Sequence, residues 1–264
     1  MTATAVCHSL SGMTHRFHVK RIGTRDRVRL DAETVRHLHV LGLGEGSEVV
    51  LFDGTGGESY ARIEEISRRA ATARIVRRDE VSREPTLELT LACAPPKGRR
   101  MDTLVRMCAE LGVRCIVPLI AQRSVVRPKN GKEPSHKLER WRKICLAASE
   151  QSGRTFAAVV EPPVRFPDIL DRADALDLAV LLSPEEDVPT LAALLDAHPD
   201  VTSLLLVVGP EGGVTEEESA LAARHGVPSA RLTPSILRVE TACVAAVAVA
   251  LTAAACGPSP ARPQ

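Results

Sequence analysis

The chain has 264 residues, 44% of them apolar and 25% charged, which is an ordinary globular composition. Its longest apolar stretch, residues 242–256, is shorter than the ~20 residues that a membrane-spanning helix needs. Seven cysteines are scattered without a C-x-x-C pair, so the sequence predicts neither a disulfide framework nor a metal site. No signal-peptide pattern opens the chain, and we therefore expect a cytoplasmic protein with no membrane partner.

Charge is unevenly distributed, although the net formal charge is only +1. Residues 1–150 carry 27 Lys and Arg against 18 Asp and Glu, whereas residues 151–264 carry 7 against 15. A basic half predicts an anionic partner such as nucleic acid, because Lys and Arg attract phosphates of any sequence. The alternative is a basic surface that binds nothing. Aromatic residues make up only 2% of the chain, so RNA contacts cannot rely on many stacked bases.

Residues 15–80 have the pattern of a small β-rich domain. A short helix is predicted at 32–40. The sequence "EVVLFDGTGGESYARIEEI", residues 48–66, is typical of a hairpin with a Gly-rich turn, and "ATARIVRR" after it predicts another strand. The polar segment 78–85 ends in proline and indicates a domain boundary.

From residue 86 onward, strands alternate with amphipathic helices, which is typical of an α/β domain with a parallel sheet. Two of the strands are short continuous apolar runs, as expected for strands buried on both faces. The predicted strands are 86–93, 113–120, 176–184 and 203–210. The predicted helices are 98–112, 135–153, 190–197, 215–224 and 240–255. The predicted domains are 1–82 and 83–257, followed by a flexible tail at 258–264.

Three loops are expected to share the edge of this sheet where ligands bind, beyond the carboxyl ends of the strands. Two strands end in "LLSP" and "VVGPEGG", and the third loop, "RLTPSILRVETA", precedes the last helix. Gly209, Gly212 and Gly213 permit a close approach of the backbone that a Cβ would block. Their backbone groups could bind a flat heterocycle. The alternative is a plain tight turn.

We call residues 209–214 the glycine-rich loop. The helix that follows this loop argues against a phosphate ligand. Thr215 is predicted to cap it, and its first turn contains Glu216, Glu217 and Glu218. The turn has neither a Gly-Lys-Ser/Thr nor a G-x-G-x-x-G pattern. A ligand with an adenine and a ribose but no phosphate fits better. We interpret the glutamates as capping and solvated residues, not as catalytic ones.

The sequence "VVGPEGGVTEEE", followed by "RLTPSILRVETA", resembles the SPOUT class of RNA methyltransferases and, within it, the RsmE family. "RHLHVLGLGEGSEVVLFDGTGG", "KGRRMDTLVRMCAELGV" and "RWRKICLAASEQSGR" extend the resemblance over nearly the whole chain. It implies an N-terminal PUA-like β-barrel that binds RNA and a SPOUT-type α/β knot, with a parallel sheet and a deep C-terminal trefoil knot. It also implies S-adenosylmethionine-dependent methylation of N3 of one uridine in 16S ribosomal RNA. The expected partners are this RNA, in the assembled small ribosomal subunit, and a second copy of the chain.

The resemblance also implies roles for individual residues. The expected cofactor-binding residues are Leu182, Ser183, Gly209, Glu211, Gly213, Leu232, Ile236 and Leu237. Core packing is the alternative for the leucines and Ile236. Arg238 is expected to stabilise the developing imide anion, and Glu240 to position the base or accept its proton; the alternative is a structural salt bridge. The expected RNA contacts are Arg36, Lys97, Arg99, Arg100, Gln151 and Arg154. Their alternative is a solvated basic face.

The chain departs from the family pattern at His39, Gly42 and Val239. The first two replace basic residues, which weakens the expected RNA contacts of the first domain, and Val239 replaces a threonine. Two alternative functions remain at this stage. One is a SPOUT methyltransferase with another target, such as a transfer-RNA ribose. The other is a non-catalytic RNA-binding factor in ribosome assembly. Finally, helix 240–255 is apolar on nearly every face and predicts a two-fold symmetric dimer.

Overall fold

The computed structural model describes residues 15–80, 83–125 and 133–256. The chain divides into two compact units, residues 1–82 and 83–264. The predicted flexible tail, 258–264, lies outside the described residues.

The first unit is a five-stranded curled sheet with one helix. Its elements are β1 (Arg16–His18), β2 (Arg27–Leu30), α1 (Ala32–Val40), β3 (Glu48–Phe52), β4 (Glu58–Ile66) and β5 (Ala71–Asp79). The strand order is β1-β3-β4-β5-β2, and two register shifts between β4 and β5 bend the sheet. Val35 and Leu38 of α1 are buried against this sheet. The predicted helix and hairpin are thus confirmed, whereas β1 and β2 were too short for their pattern to predict.

The second unit is a parallel sheet covered by helices. Its elements are β6 (Glu88–Cys93), α2 (Arg100–Leu111), β7 (Cys115–Ile120), α3 (Glu133–Ser152), β8 (Val159–Val160), β9 (Val164–Arg165), α4 (Phe166–Leu170), β10 (Leu178–Leu182), α5 (Leu191–Asp196), β11 (Ser203–Val208), α6 (Glu216–Arg224), β12 (Ser229–Ala230) and α7 (Val239–Cys256). The main strand order is β12-β10-β11-β6-β7-β8, and β9 pairs with β7. All these pairs are parallel. Strand order does not define how a chain threads, so the trefoil knot stays a prediction.

The continuous apolar runs are explained by burial on both faces of the sheet. In β11, Leu204 and Leu206 pack into the core beneath α2, α3, α5 and α7, whereas Leu205 and Val207 pack into the core beneath α4 and α6. Successive side chains of a strand point to opposite faces, so each face of β11 needs its own apolar residues. This confirms the predicted parallel α/β domain.

Helix α7 is buried only in part within its own chain. Cys243, Ala246 and Val247 are 0% exposed and pack into the core of the sheet. Val244 and Val249 are half-buried. The sheet of the same domain therefore covers the face of α7 that contains Val247, and the predicted dimer would have to use the rest of the helix.

Arg154 is an interior residue and not part of an RNA-contacting surface. Its side chain is 5% exposed and its Nε lies 2.9 Å from Oε2 of Glu84. Its Nη1 donates to the carbonyl oxygens of Ala109, in the last turn of α2, and of Val113, just after the helix. The resemblance had implied an RNA contact for Arg154. Its guanidinium instead neutralises a buried carboxylate and satisfies two carbonyl groups at once. Arg154 therefore stabilises the domain.

We predict that Arg154→Ala lowers the free energy of unfolding by about 3 kcal/mol, because it leaves the Glu84 carboxylate without its buried cation. Denaturant unfolding measures this change. Arg165→Ala is the matched control, since Arg165 pairs with Asp168 on an exposed surface and its loss should leave stability nearly unchanged. Equal stability of the two variants would contradict the structural role of Arg154.

Candidate functional site

A cleft opens where β10, β11 and β12 end, and we call it the strand-end cleft. All eight predicted cofactor-binding residues line it. The lining residues are Leu182, Ser183, Pro184, Val208, Gly209, Pro210, Glu211, Gly213, Val214, Leu232, Thr233, Ser235, Ile236, Leu237, Val239 and Ala242. Those that the sequence reasoning missed are chain neighbours of predicted residues, apart from Ala242 on the first turns of α7.

The glycine-rich loop forms one wall of the cleft, and its glycines are required for different reasons. A Cβ on Gly209 would lie 2.9 Å from Cγ1 of Val214, so this glycine lets the loop fold closely on itself. Gly213 has a φ of +70°, where a side chain is strained, and its N–H donates to the carbonyl of Pro210 at 2.8 Å. A Cβ on Gly213 would meet no atom of the chain within 4 Å. The loop is therefore a tight turn, and it also faces open space at Gly213.

The loop before α7 forms the opposite wall and presents backbone donors. The N–H groups of Leu232, Ile236 and Leu237 donate no hydrogen bond to any of the described residues. Ile236 is 88% exposed, so core packing does not explain this residue. Unpaired backbone groups beside apolar side chains can bind a flat heterocycle by hydrogen bonds along its edge.

The helix that follows the glycine-rich loop begins with a capping box. Thr215 Oγ1 accepts from Glu218 N, and Glu218 Oε2 accepts from Thr215 N. Glu218 is only 4% exposed. This confirms the interpretation of Glu218 as a capping residue and fixes the end of the loop.

Arg100 links two elements of the cleft. Its Nη2 lies 2.6 Å from Oε1 of Glu211 on the glycine-rich loop, and its Nη1 lies 3.4 Å from Oε1 of Glu240 on α7. The hydrogen bond with Glu211 is the main cause that raises the pKa of Arg100 above its usual value. Arg100 thus joins the glycine-rich loop to α7, and the salt bridge considered for Glu240 is present. The buried Oε2 of Glu240 has no hydrogen-bond partner among the described residues.

The other predicted RNA-contacting residues are exposed. Within the described ranges, the side chains of Arg36, Lys97, Arg99 and Gln151 make no hydrogen bond or ion pair, and neither does that of Arg238, which was predicted to be catalytic. Arg238 stands between two residues that line the strand-end cleft, Leu237 and Val239. It is therefore a cation at the rim of the cleft that is available to an anionic partner.

Two cysteines of the core, Cys145 and Cys243, are poor nucleophiles. Burial raises the pKa of the Cys145 thiol to about 12 and raises that of Cys243, beneath the cleft, well above its usual value. Both thiols stay neutral at physiological pH, and a neutral thiol is a poor nucleophile and metal ligand. The described residues contain no cluster of His, Cys, Asp and Glu that could hold a metal ion. They also contain no helix long and apolar enough to cross a bilayer.

Comparison with known proteins identifies the family. An RNA methyltransferase domain matches residues 82–251, and an RNA methyltransferase PUA domain matches residues 30–76. The chain is 33% identical over 220 residues to ribosomal RNA small subunit methyltransferase E of Synechocystis, covering 81% of this chain and 70% of that protein. The chain belongs to the ribosomal RNA small subunit methyltransferase E family, RsmE. The RsmE protein of Bacillus subtilis is 31% identical, with 81% and 85% of the two chains covered.

Solved structures agree with this assignment to RsmE. The family member from Neisseria gonorrhoeae, bound to S-adenosylmethionine, has a TM-score of 0.82 and 32% identity, covering 91% of this chain and 98% of that chain. A methyltransferase from Legionella pneumophila, also with bound S-adenosylmethionine, has a TM-score of 0.84 and 32% identity over 92% of this chain and 98% of that chain.

We predict that Arg100→Ala loosens both the glycine-rich loop and the start of α7, because Glu211 and Glu240 lose the cation that they share. Hydrogen exchange of peptides covering 209–215 and 239–244 should become faster. Arg106→Ala is the matched control, since Arg106 pairs with Glu110 on the outer face of the same helix. Protection at both segments equal to that of the unmodified protein would contradict the linking role of Arg100.

Proposed function

We propose that this RsmE-family protein transfers a methyl group from S-adenosylmethionine to N3 of a specific uridine in 16S ribosomal RNA, within the assembled small subunit in the cytoplasm. The family match and the methyltransferase domain support the reaction class. The observation that carries the proposal for this chain is the strand-end cleft, in which the eight residues expected from the resemblance come together.

The residues of the cleft fit S-adenosylmethionine. The unpaired N–H groups of Leu232, Ile236 and Leu237 suit the ring nitrogens of an adenine. The half-buried Leu182 and Leu237 suit its faces. Exposed Glu211 and the glutamates at the start of α6 disfavour a phosphate, which this cofactor lacks. When bound, the cofactor supplies an electrophilic methyl group on a sulfonium centre.

Two polar residues at the start of α7 are proposed to act on the uridine. N3 of uridine carries a proton that must leave before the nitrogen can attack. We assign Glu240 as the acceptor or positioning group, since Arg100 holds its Oε1 while its Oε2 has no partner among the described residues. We assign Arg238 to the developing charge on the imide oxygens, because it is an exposed cation at the rim of the cleft. Accurate positioning of N3 beside the methyl group supplies most of the acceleration.

RNA is proposed to bind along basic residues outside the cleft. Lys97 and Arg99 are exposed just before α2, whose first residue is Arg100. Arg36 is exposed on α1 of the PUA-like unit, and Gln151 on α3 is a further proposed contact. Such contacts hold the backbone of the RNA but do not read its sequence. The C-terminal trefoil knot, which would bring the walls of the cleft together, is part of this proposal.

We expect the purified protein to form 3-methyluridine in small ribosomal subunits that lack the modification, when S-adenosylmethionine is supplied. Gly213→Val should abolish both cofactor binding and methylation, because a branched side chain strains the left-handed turn and enters the open space of the cleft. Calorimetric titration and mass spectrometry of digested 16S RNA measure the two effects.

Gly226→Val is the matched control for this experiment. Gly226 has a φ of +69° and equally open surroundings, but it follows α6 and does not line the cleft. The Gly226→Val variant should lose as much stability as Gly213→Val does, but it should still bind the cofactor. Methylation of transfer RNA in place of 16S RNA would overturn the proposed substrate. A wild-type protein that binds no S-adenosylmethionine would overturn the enzymatic proposal in favour of an assembly factor.

We further propose a homodimer that forms through the half-buried face of α7. Val249→Glu should yield monomers with reduced methylation, because Val249 lies on this face. Ala220→Glu is the control, since Ala220 is exposed on α6, which covers the other face of the sheet. Light scattering at micromolar concentration measures the mass. A wild-type monomer that is fully active would refute the dimer.

A further inference from the structure

The segment that follows β7, residues 121–124, contacts the glycine-rich loop from outside the strand-end cleft. Arg123 Nη1 lies 3.0 Å from the carbonyl oxygen of Gly212 and 3.3 Å from that of Val214. These two carbonyls flank Gly213, the residue in the left-handed conformation. Arg123 itself is not among the residues that line the cleft. One cation therefore holds the turn on both sides of its most strained residue.

A second set of hydrogen bonds joins the same two segments. The N–H of Gln122 donates to Oε1 of Glu218 at 2.8 Å, and the N–H of Thr215 donates to Oε2 of the same carboxylate at 3.0 Å. Ser124 Oγ accepts from the N–H of Ala121 at 2.9 Å and closes the 121–124 turn. The buried Glu218 thus links the segment after β7 to the end of the glycine-rich loop by hydrogen bonds.

Close packing accompanies the hydrogen bonds. A Cβ on Gly212 would lie 3.4 Å from Cβ and 3.7 Å from Cδ of Arg123, so the aliphatic part of the arginine lies against the backbone of the loop. Glycine loses more conformational freedom on ordering than other residues do, and this loop contains Gly209, Gly212 and Gly213. An ordering contact from outside the cleft reduces the entropy that a ligand must overcome when it binds.

We propose that Arg123 is a positioning residue for the cofactor: it pre-orders the glycine-rich loop through the Gly212 and Val214 carbonyls, without touching the cofactor or the RNA. This inference rests on the proposed function, because it assumes that the loop binds S-adenosylmethionine. It predicts that Arg123 controls the affinity for the cofactor and not the methyl transfer step.

The kinetics of Arg123→Ala test this role. The dissociation constant and the KM for S-adenosylmethionine should rise about tenfold, because two hydrogen bonds from a charged group are lost. The kcat at saturating cofactor and the KM for the RNA should stay close to the wild-type values. Arg123→Met keeps the aliphatic stem and removes the donors, so it should lose most, but not all, of the affinity that Arg123→Ala loses. Arg123→Lys should recover part of the affinity.

Arg224→Ala is the matched control, since Arg224 is an exposed arginine on α6 that does not contact the loop. It should bind the cofactor as the wild type does. A raised KM for RNA with unchanged cofactor affinity in Arg123→Ala would show instead that Arg123 contacts the substrate, and would overturn the inference. An unchanged affinity for the cofactor together with an unchanged KM for the RNA would overturn the inference as well. If the wild-type protein binds no S-adenosylmethionine, the proposed function fails first, so the two failures are distinguishable.

Discussion

The parallel register of β10, β11 and β12 is the constraint on which the site depends. Leu182, the last residue of β10, lies opposite Val208 of β11 and Ala230 of β12, so the three strands end at the same level. The loops that follow them must then meet, and the strand-end cleft forms between them. Burial of the sheet on both faces holds this register, because a shift of one residue would exchange the side chains of the two cores.

The conformational entropy lost when the glycine-rich loop becomes ordered is the main energetic cost at this edge of the sheet. The loop needs glycine at Gly209 for close packing and at Gly213 for the left-handed turn, and glycine favours disorder. Two arginines outside the loop oppose this tendency. Arg100 binds the side chain of Glu211, and Arg123 binds the carbonyls on either side of Gly213. The loop is therefore fixed by charged contacts from other elements more than by its own sequence.

The parts of the fold that depend on local residue patterns could be predicted from the sequence alone. The apolar runs of β10 and β11, the capping box at Thr215 and the glycine that ends α2 are local signals, and the structure contains each of them. The eight cleft residues came from a family resemblance and could not come from periodicity. Long-range contacts were beyond sequence reasoning. Nothing near Arg154 indicates its burial beside Glu84, and the spacing of Arg100 from Glu211 and Glu240 does not reveal their ion pairs.

A crystal structure of the protein with S-adenosylhomocysteine, the demethylated cofactor, tests whether the strand-end cleft is the cofactor site. We expect the adenine to lie in the strand-end cleft and to accept hydrogen bonds from backbone N–H groups of the 232–237 loop, with the ribose beside the loop at Gly209–Gly213. A ligand bound elsewhere on the chain, or one in the cleft whose adenine makes no contact with the 232–237 backbone, would contradict it.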